Sequence, residues 1–210
     1  MIGWLMKLYE SPVWMRALVA GLLLGVIALV DFLRHRERAT RWREYAFWLA
    51  CGLLGALFAI GNDIMTSHLS EAYFALGKGL ASDDPHEFIV NVVLLAIRAG
   101  FVAGLAIGGA LLLANNPKKD LPQLPYGVLA RLMLVPAVAA IVIAPIGGAC
   151  ASWDIQGLSS QLRQVLSPDD VRSFLMVQRI HVGLYVGALI GTVGAVAWIR
   201  RKRRAPASDR

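Results

Sequence analysis

Seven polar side chains lie in or beside long apolar segments, where their chemistry could serve to bind a solute. An ionisable group inside a membrane is costly to desolvate, so it marks a candidate functional site. Guanidinium and carboxylate groups can pair there, and they can also orient a polar or anionic ligand. These candidate ligand-binding residues are Asn62, Asp63, Asn91, Arg98, Asp154, Arg179 and His181.

Arg98 and Arg179 lie inside apolar segments, and Asp63 and Asp154 are their expected partners. Two interpretations of these pairs follow from the physics of buried charge. The pairs could line a polar site for a small solute, or they could only fix the register of the helices. Both interpretations stay open on the sequence.

His68 and Glu71 form the one His-x-x-Glu spacing in the chain. Such a pair can share a helix face and supply two ligands of one metal ion. A solvated pair at an interface is the alternative. The sequence also has no Ser-His-Asp spacing, phosphate loop or dinucleotide fingerprint. The catalytic residues therefore stay unassigned, the metal site stays open, and no cofactor is predicted.

The elements that position these residues are long apolar segments. The 210 residues are 57% hydrophobic and 17% charged, whereas a soluble domain is about half apolar and a quarter charged. This composition excludes a soluble globular domain, a disordered chain and a disulfide-stapled module. A helix of about 20 apolar residues can cross a bilayer. Five such spans are predicted, at residues 13–33, 45–61, 88–114, 126–151 and 174–199. The second is short, and we expect its helix to continue into the segment that follows.

Two segments between the spans have apolar residues at helical spacing along one face. This pattern predicts amphipathic helices at residues 63–77 and 155–166, on the outer side of the bundle. Each is followed by a capping residue and a proline, Asp84-Pro85 and Ser167-Pro168, which is typical of a helix start. The predicted fold is therefore all-α, a polytopic transmembrane helix bundle that forms a single integral membrane domain over residues 1–210.

Glycines recur at every fourth position in the third and fifth spans, and such a ridge lets another helix approach closely. The layout of residues 45–114 also recurs in residues 126–199, which predicts two tandem helical-hairpin repeats after an N-terminal helix. The ridges could bind the helices of a partner protein or of a second copy of the chain. Their residues are Gly100, Gly104, Gly108, Gly183, Gly187 and Gly191.

The net charge of +7 is explained by membrane topology. Residues 34–44, 115–125 and 200–210 hold 13 of the 21 basic residues and lie on one predicted side. The positive-inside rule places this side in the cytoplasm. The protein is therefore predicted to lie in a bacterial inner membrane. Its N-terminus is predicted on the outer side, and its basic C-terminal tail in the cytoplasm. The lipid bilayer is the predicted partner, and no nucleic acid is needed to explain the charge.

The stretch GNDIMTSHLSEAYF at residues 61–74 resembles a segment of an uncharacterised family of small bacterial polytopic membrane proteins. In that family an apolar helix runs into Asp-x-x-Thr and then Glu-Tyr-Phe. Here Glu71 is one position early, and Ala72 stands where the family has Glu. The resemblance implies a bacterial membrane protein, brings no known activity with it, and adds Thr66 to the candidate ligand-binding residues. The matching residues are Asp63, Thr66, Tyr73 and Phe74.

Three functions fit these patterns. The leading hypothesis is a polar, outer-facing site that binds or transports a small polar or anionic solute. One alternative is a membrane-embedded, metal-dependent enzyme that uses His68, Glu71 and Asp63 at the outer interface. The other is a structural or assembly subunit that binds partner helices through its glycine ridges. Whether the protein is an enzyme is therefore open, with a role other than catalysis favoured.

Overall fold

The computed structural model describes residues 13–36, 39–116, 121–152 and 157–204, with the backbone alone described for residues 13–20 and for Ser152. These ranges are helical and contain no β-strand. A short 3₁₀ turn, Cys150–Ser152, follows the sixth helix. The α-helices are α1 Val13–His35, α2 Arg41–Leu69, α3 Glu71–Ala75, α4 Pro85–Ala114, α5 Tyr126–Leu132, α6 Leu134–Ala149, α7 Leu158–Leu162 and α8 Pro168–Arg204.

Four segments of the described chain are long and apolar enough to cross a membrane. Only 22–33% of the most apolar window of each is buried, so most of their side chains face outward and fit contact with lipid. The chain therefore fits a transmembrane protein. The predicted span at 13–33 forms α1 but is not among these four, and a count of five spans stays a prediction. The four segments are Arg41–Leu69, Pro85–Ala114, Tyr126–Ala149 and Pro168–Arg204.

The chain divides into two compact units, one up to Phe47 and one from Trp48 onward. In the first unit, the Asp31 carboxylate accepts hydrogen bonds from the backbone N–H groups of Thr40 at 2.9 Å and Arg41 at 3.0 Å. These donors lie at the start of α2, where backbone N–H groups lack partners within the helix. Asp31 therefore caps α2.

In the second unit, α2 continues unbroken to Leu69, which confirms that the short second span runs on into the following segment. The hydroxyl of Thr66 donates to the carbonyl of Asn62 at 2.9 Å, and that of Ser67 donates to the carbonyl of Ile64 at 2.8 Å. Polar side chains thus find partners on the helix itself and do not end it. The segment predicted as one amphipathic helix at 63–77 is divided between the end of α2 and the short α3.

The predicted starts of the third and fifth spans are confirmed. The Asp84 carboxylate accepts from the backbone N–H of His86 at 2.9 Å, with Pro85 as the first residue of α4. The Ser167 hydroxyl donates to the Asp170 carboxylate at 2.7 Å and accepts from its N–H at 3.2 Å, so Ser167 caps the start of α8. The end of the bundle where α4 and α8 begin is called the cap end, and the end where α8 finishes the tail end. Of the amphipathic helix predicted at 155–166, only α7 is helical, and residues 155–156 lie outside the described residues.

Both glycine ridges pack against a helix of the same chain. On α4, Gly100 lies against Gly55 of α2, and Gly104 lies against the backbone of Cys51. On α8, the three ridge glycines lie against α6 in antiparallel register. A role for the ridges in binding a second copy or a partner stays a prediction. The α8 contacts are Gly183 with Ala144, Gly187 with Ala140 and Gly191 with Pro136.

The two helix pairs α2–α4 and α6–α8 use the same packing device. The N-cap residue Asp84 precedes Gly100 by 16 positions, and Ser167 precedes Gly183 by the same 16 positions. In both pairs a proline-started helix therefore brings its ridge to the same depth. This likeness supports a tandem repeat, which itself stays a prediction.

Arg203 holds the connection between α4 and α5 at the tail end. Although it belongs to the basic tail, it is only 4% exposed. Its guanidinium presents a planar fork of donors, which suits several carbonyl oxygens at once. It donates to the carbonyl oxygens of Ala114 at 2.6 Å, Asn116 at 2.8 Å, Leu121 at 2.7 Å and Pro122 at 3.0 Å.

The ridge on α8 predicts a position-dependent effect of added methyl groups. A methyl group on Gly187 would lie 2.6 Å from the Ala140 Cα, whereas one on Gly194 meets nothing within 4 Å. Gly187→Ala is expected to lower the free energy of unfolding by about 1–3 kcal/mol through overpacking. Gly194→Ala, on the same helix, is expected to be neutral or slightly stabilising. Unfolding titrations in detergent measure both, and equal effects would contradict this packing.

Arg203 predicts a second difference between neighbours. Arg203→Lys is expected to lower the free energy of unfolding by about 2 kcal/mol, because one ammonium cannot reach four carbonyl groups and buried acceptors lose their donors. The matched control is Arg204→Lys, since Arg204 is exposed. The same unfolding titrations measure both variants. An Arg203→Lys variant as stable as the unmodified protein would contradict the role of Arg203 in holding the connection between α4 and α5.

Candidate functional site

A cluster of three polar side chains joins α2 to α8 inside the cap half of the bundle. His181 Nε2 lies 3.1 Å from Asp63 Oδ1. The Asn62 amide donates to the same Asp63 oxygen at 2.9 Å and lies 3.4 Å from His181 Nε2. Asp63 is 8% exposed and His181 5%. We call Asn62, Asp63 and His181 the Asp–His cluster.

Each helix orients its own part of the cluster. On α2, Asn62 and Asp63 are followed by Thr66, which is fully buried and binds the Asn62 carbonyl. On α8, His181 Nδ1 lies 2.9 Å from the carbonyl oxygen of Val177, one turn earlier. A carbonyl oxygen can only accept, so Nδ1 carries the proton of this hydrogen bond. The ring is therefore fixed with Nε2 toward Asp63.

Aromatic side chains cover the cluster at the cap end. The Tyr73 ring, on α3, stacks on the His181 ring with centroids 5.0 Å apart and planes 27° apart. Phe74 meets the same ring edge-on at 6.0 Å, and Phe174 meets Tyr73 at 5.3 Å. Burial, with the negative charge of Asp63 as the smaller cause, raises the pKa of Tyr73 to about 12. The phenol therefore stays neutral over the cluster at physiological pH.

The Asp–His cluster forms one end of an apolar cavity of about 140 Å³. On α2 the lining runs from Cys51 to Asp63, about 18 Å along the helix at 1.5 Å per residue. Glycine and alanine at the helix contacts leave this space open. A dry apolar cavity of about 150 Å³ holds a benzene molecule. The wall residues include Phe58, Ala103, Met133, Ala140 and Leu184.

The structure brings together four of the eight candidate ligand-binding residues, namely Asn62, Asp63, Thr66 and His181. Arg98 is exposed on α4, and Asp63 pairs with His181 where an arginine partner was expected. Asn91 and Arg179 are half-buried and do not line the cavity. Asp154 lies outside the described residues. A ligand-binding role for Asn91, Arg98, Asp154 and Arg179 stays a prediction.

The weak metal candidates do not share a helix. His68 lies near the end of α2 and Glu71 begins α3, with Ser70 at the break between them. Both side chains are exposed. Within the described residues, no three His, Cys, Asp or Glu side chains lie close enough together to hold a metal ion.

Three residues near the cluster are not among the candidate ligand-binding residues predicted from the sequence. Tyr73 covers His181, and Tyr185 lines the cavity one turn after it. Gln178 precedes His181 by three positions, and its buried Oε1 has no hydrogen-bond partner among the described residues. The spacing of Gln178, His181 and Tyr185 places them on one helix face, which is the signal that could have found them.

Comparison with known proteins finds no match, so the proposed function is argued from the geometry of the site. No family model matches the chain, and no curated protein or solved structure does so. The resemblance over residues 61–74 therefore stays a prediction.

The raised pKa of Tyr73 predicts how stability responds to alkali. An unfolded tyrosine ionises near pH 10, whereas the folded protein keeps the phenol protonated to about pH 12. The unfolded state therefore loses a proton first, and the stability contributed by Tyr73 falls as pH rises from 10 to 12. Tyr73→Phe should lose less stability than the unmodified protein across this window. Unfolding titrations at pH 9, 10.5 and 12 measure the difference, and parallel curves would contradict it.

Proposed function

We propose that this chain is a solute-binding integral membrane protein, with transport as the process that the binding serves. Its ligand would be a small molecule with an apolar body and one polar group. The observation that carries the proposal is the Asp–His cluster at the end of an apolar cavity between membrane-spanning helices. Ligand sites are commonly apolar clefts with a few convergent polar groups.

The open space beside the cluster supports binding over a purely structural role. A pair that only fixes helix register needs no room around it, and protein interiors are otherwise close-packed. Here Asn62, Asp63 and His181 all line a cavity. An ionisable pair inside a membrane protein is also a typical component of a solute or ion pathway.

The positions of Arg98 and Arg179 limit which charge the polar group of the ligand can carry. An anionic solute was expected because Arg98 and Arg179 could attract it. Neither of them lines the cavity, and Arg98 is exposed. The lining supports a neutral or cationic polar group, which the carboxylate of Asp63 and the Asn62 amide can orient.

A bacterial inner membrane is the proposed location, with the N-terminus outside and the basic tail in the cytoplasm. The basic segments between the apolar helices support this orientation by the positive-inside rule. At the end of α8, Arg200, Arg201 and Arg204 are exposed, as expected of a basic cytoplasmic segment.

If the cavity is a binding site, benzyl alcohol should bind in it. Its ring matches the cavity volume, and its hydroxyl can reach the Asp–His cluster. The measurement is calorimetric titration of the protein in lipid nanodiscs, with the signal of empty nanodiscs subtracted. Ala137→Leu places three more carbon atoms in the cavity lining and should weaken binding at least tenfold. The matched control is Ala106→Leu, at an exposed position outside the lining.

Equal affinity of both variants would show that benzyl alcohol binds elsewhere. Retained binding in Ala137→Leu together with a normal unfolding midpoint would overturn the proposed cavity site.

A further inference from the structure

The contact between His181 and Asp63 requires a shared proton. His181 Nδ1 already donates to the Val177 carbonyl at 2.9 Å, so Nε2 is the ring nitrogen that faces Asp63. Without a proton on Nε2 or on Asp63, a nitrogen lone pair would face a carboxylate oxygen at 3.1 Å. One proton therefore lies between the two groups, on either atom, and in both arrangements the pair has no net charge.

We propose that the ligand of this site is an organic cation, a protonated amine with an apolar body, which binds in exchange for that proton. The inference rests on the proposed function and names its substrate class. The exchange is RNH₃⁺ + protein·H⁺ ⇌ protein·RNH₃⁺ + H⁺, and no bond other than those to the proton forms or breaks. The site is neutral before and after, which matters because an unbalanced charge in a low-dielectric interior is costly.

The donors of an ammonium group match the acceptors that remain once the proton has left. A primary ammonium has three N–H donors. The carboxylate of Asp63 and the bare Nε2 of His181 accept two of them, and the side-chain carbonyl of Asn62 is available for the third. The buried Oε1 of Gln178, which has no hydrogen-bond partner among the described residues, lies one turn before His181 on the same face of α8. The apolar body then occupies the cavity.

The other ionisable groups around the site support a cation over an anion. Besides Asp63 and His181, the titratable side chains of the cavity lining are Cys51 on α2 and Tyr185 on α8. Neither carries positive charge. The lining residues of α4 and α6, and Met133 between α5 and α6, include no ionisable side chain.

Among the described residues that line the cavity there is no lysine or arginine. From the α3 side, Tyr73 is held neutral, and Lys78 lies over its ring with Nζ 5.3 Å from the centroid. Arg98 is exposed on α4, and Arg179 is half-buried on α8. Among the lining residues, Asp63 supplies the negative charge that a bound cation needs.

The probe pair is benzylamine and benzyl alcohol, which share a ring and differ in the charge of the polar group. Each is titrated by calorimetry into the protein in nanodiscs, in two buffers of different protonation enthalpy. The dependence of the heat on the buffer gives the number of protons released. We expect about one proton released per benzylamine and none per benzyl alcohol. We also expect the affinity for benzylamine to rise up to tenfold per pH unit.

Asp63→Asn removes the negative charge while keeping the shape of the side chain. It should weaken benzylamine binding at least tenfold and abolish proton release, with benzyl alcohol affinity changed less than threefold. Asp83→Asn makes the same chemical change at an exposed position and should bind both probes like the unmodified protein. The pH dependence of the unmodified protein provides a test that does not require the variant to fold.

The outcomes separate this inference from the proposed function. If both probes bind without proton release, the exchange of a cation for a proton is overturned, but the cavity site is still supported. The same holds if the two probes bind with equal affinities that do not depend on pH. Failure of both probes to bind overturns the cavity site as well. Unchanged benzylamine binding in a folded Asp63→Asn variant also overturns the cation site.

Discussion

A carboxylate can be buried beside an apolar cavity only when a positive charge or a proton neutralises it. The structure depends on this constraint at Asp63, which is 8% exposed and faces His181 at 3.1 Å. The Val177 carbonyl fixes the histidine ring, and the Asn62 amide binds the carboxylate. The neutral pair is therefore held in one geometry, and any ligand that enters must keep the charge balanced.

Close backbone approach holds each helix pair together, and the Asp–His cluster joins α2 of one pair to α8 of the other. Gly100 and Gly104 let α4 lie against α2, and Gly183, Gly187 and Gly191 let α8 lie against α6. These contacts set the distance between the helices, and the small side chains around them leave the cavity that ends at the cluster. The covered ridges thus support the site from within the same chain.

Much of this fold could be predicted from the sequence, because spans, caps and ridges are local patterns. Asp84-Pro85 and Ser167-Pro168 start their helices as predicted, since capping depends on neighbours in the chain. The continuation of α2 beyond its apolar part was expected, but its end at Leu69 was not, because Thr66 and Ser67 bind the helix backbone and hydropathy does not register such bonds.

The partner of Asp63 was the harder prediction. Charge alone favoured an arginine, but the rotation of each helix decides which side chain faces inward, and Arg98 faces outward while His181 faces Asp63. The ¹⁵N chemical shifts of His181 in bilayers, assigned by their loss in His181→Gln, test this pairing most directly. The structure predicts a protonated Nδ1 and an Nε2 signal that shifts when Asp63 is replaced by Asn. A bare Nδ1, or an Nε2 signal that is indifferent to Asp63→Asn, would contradict it.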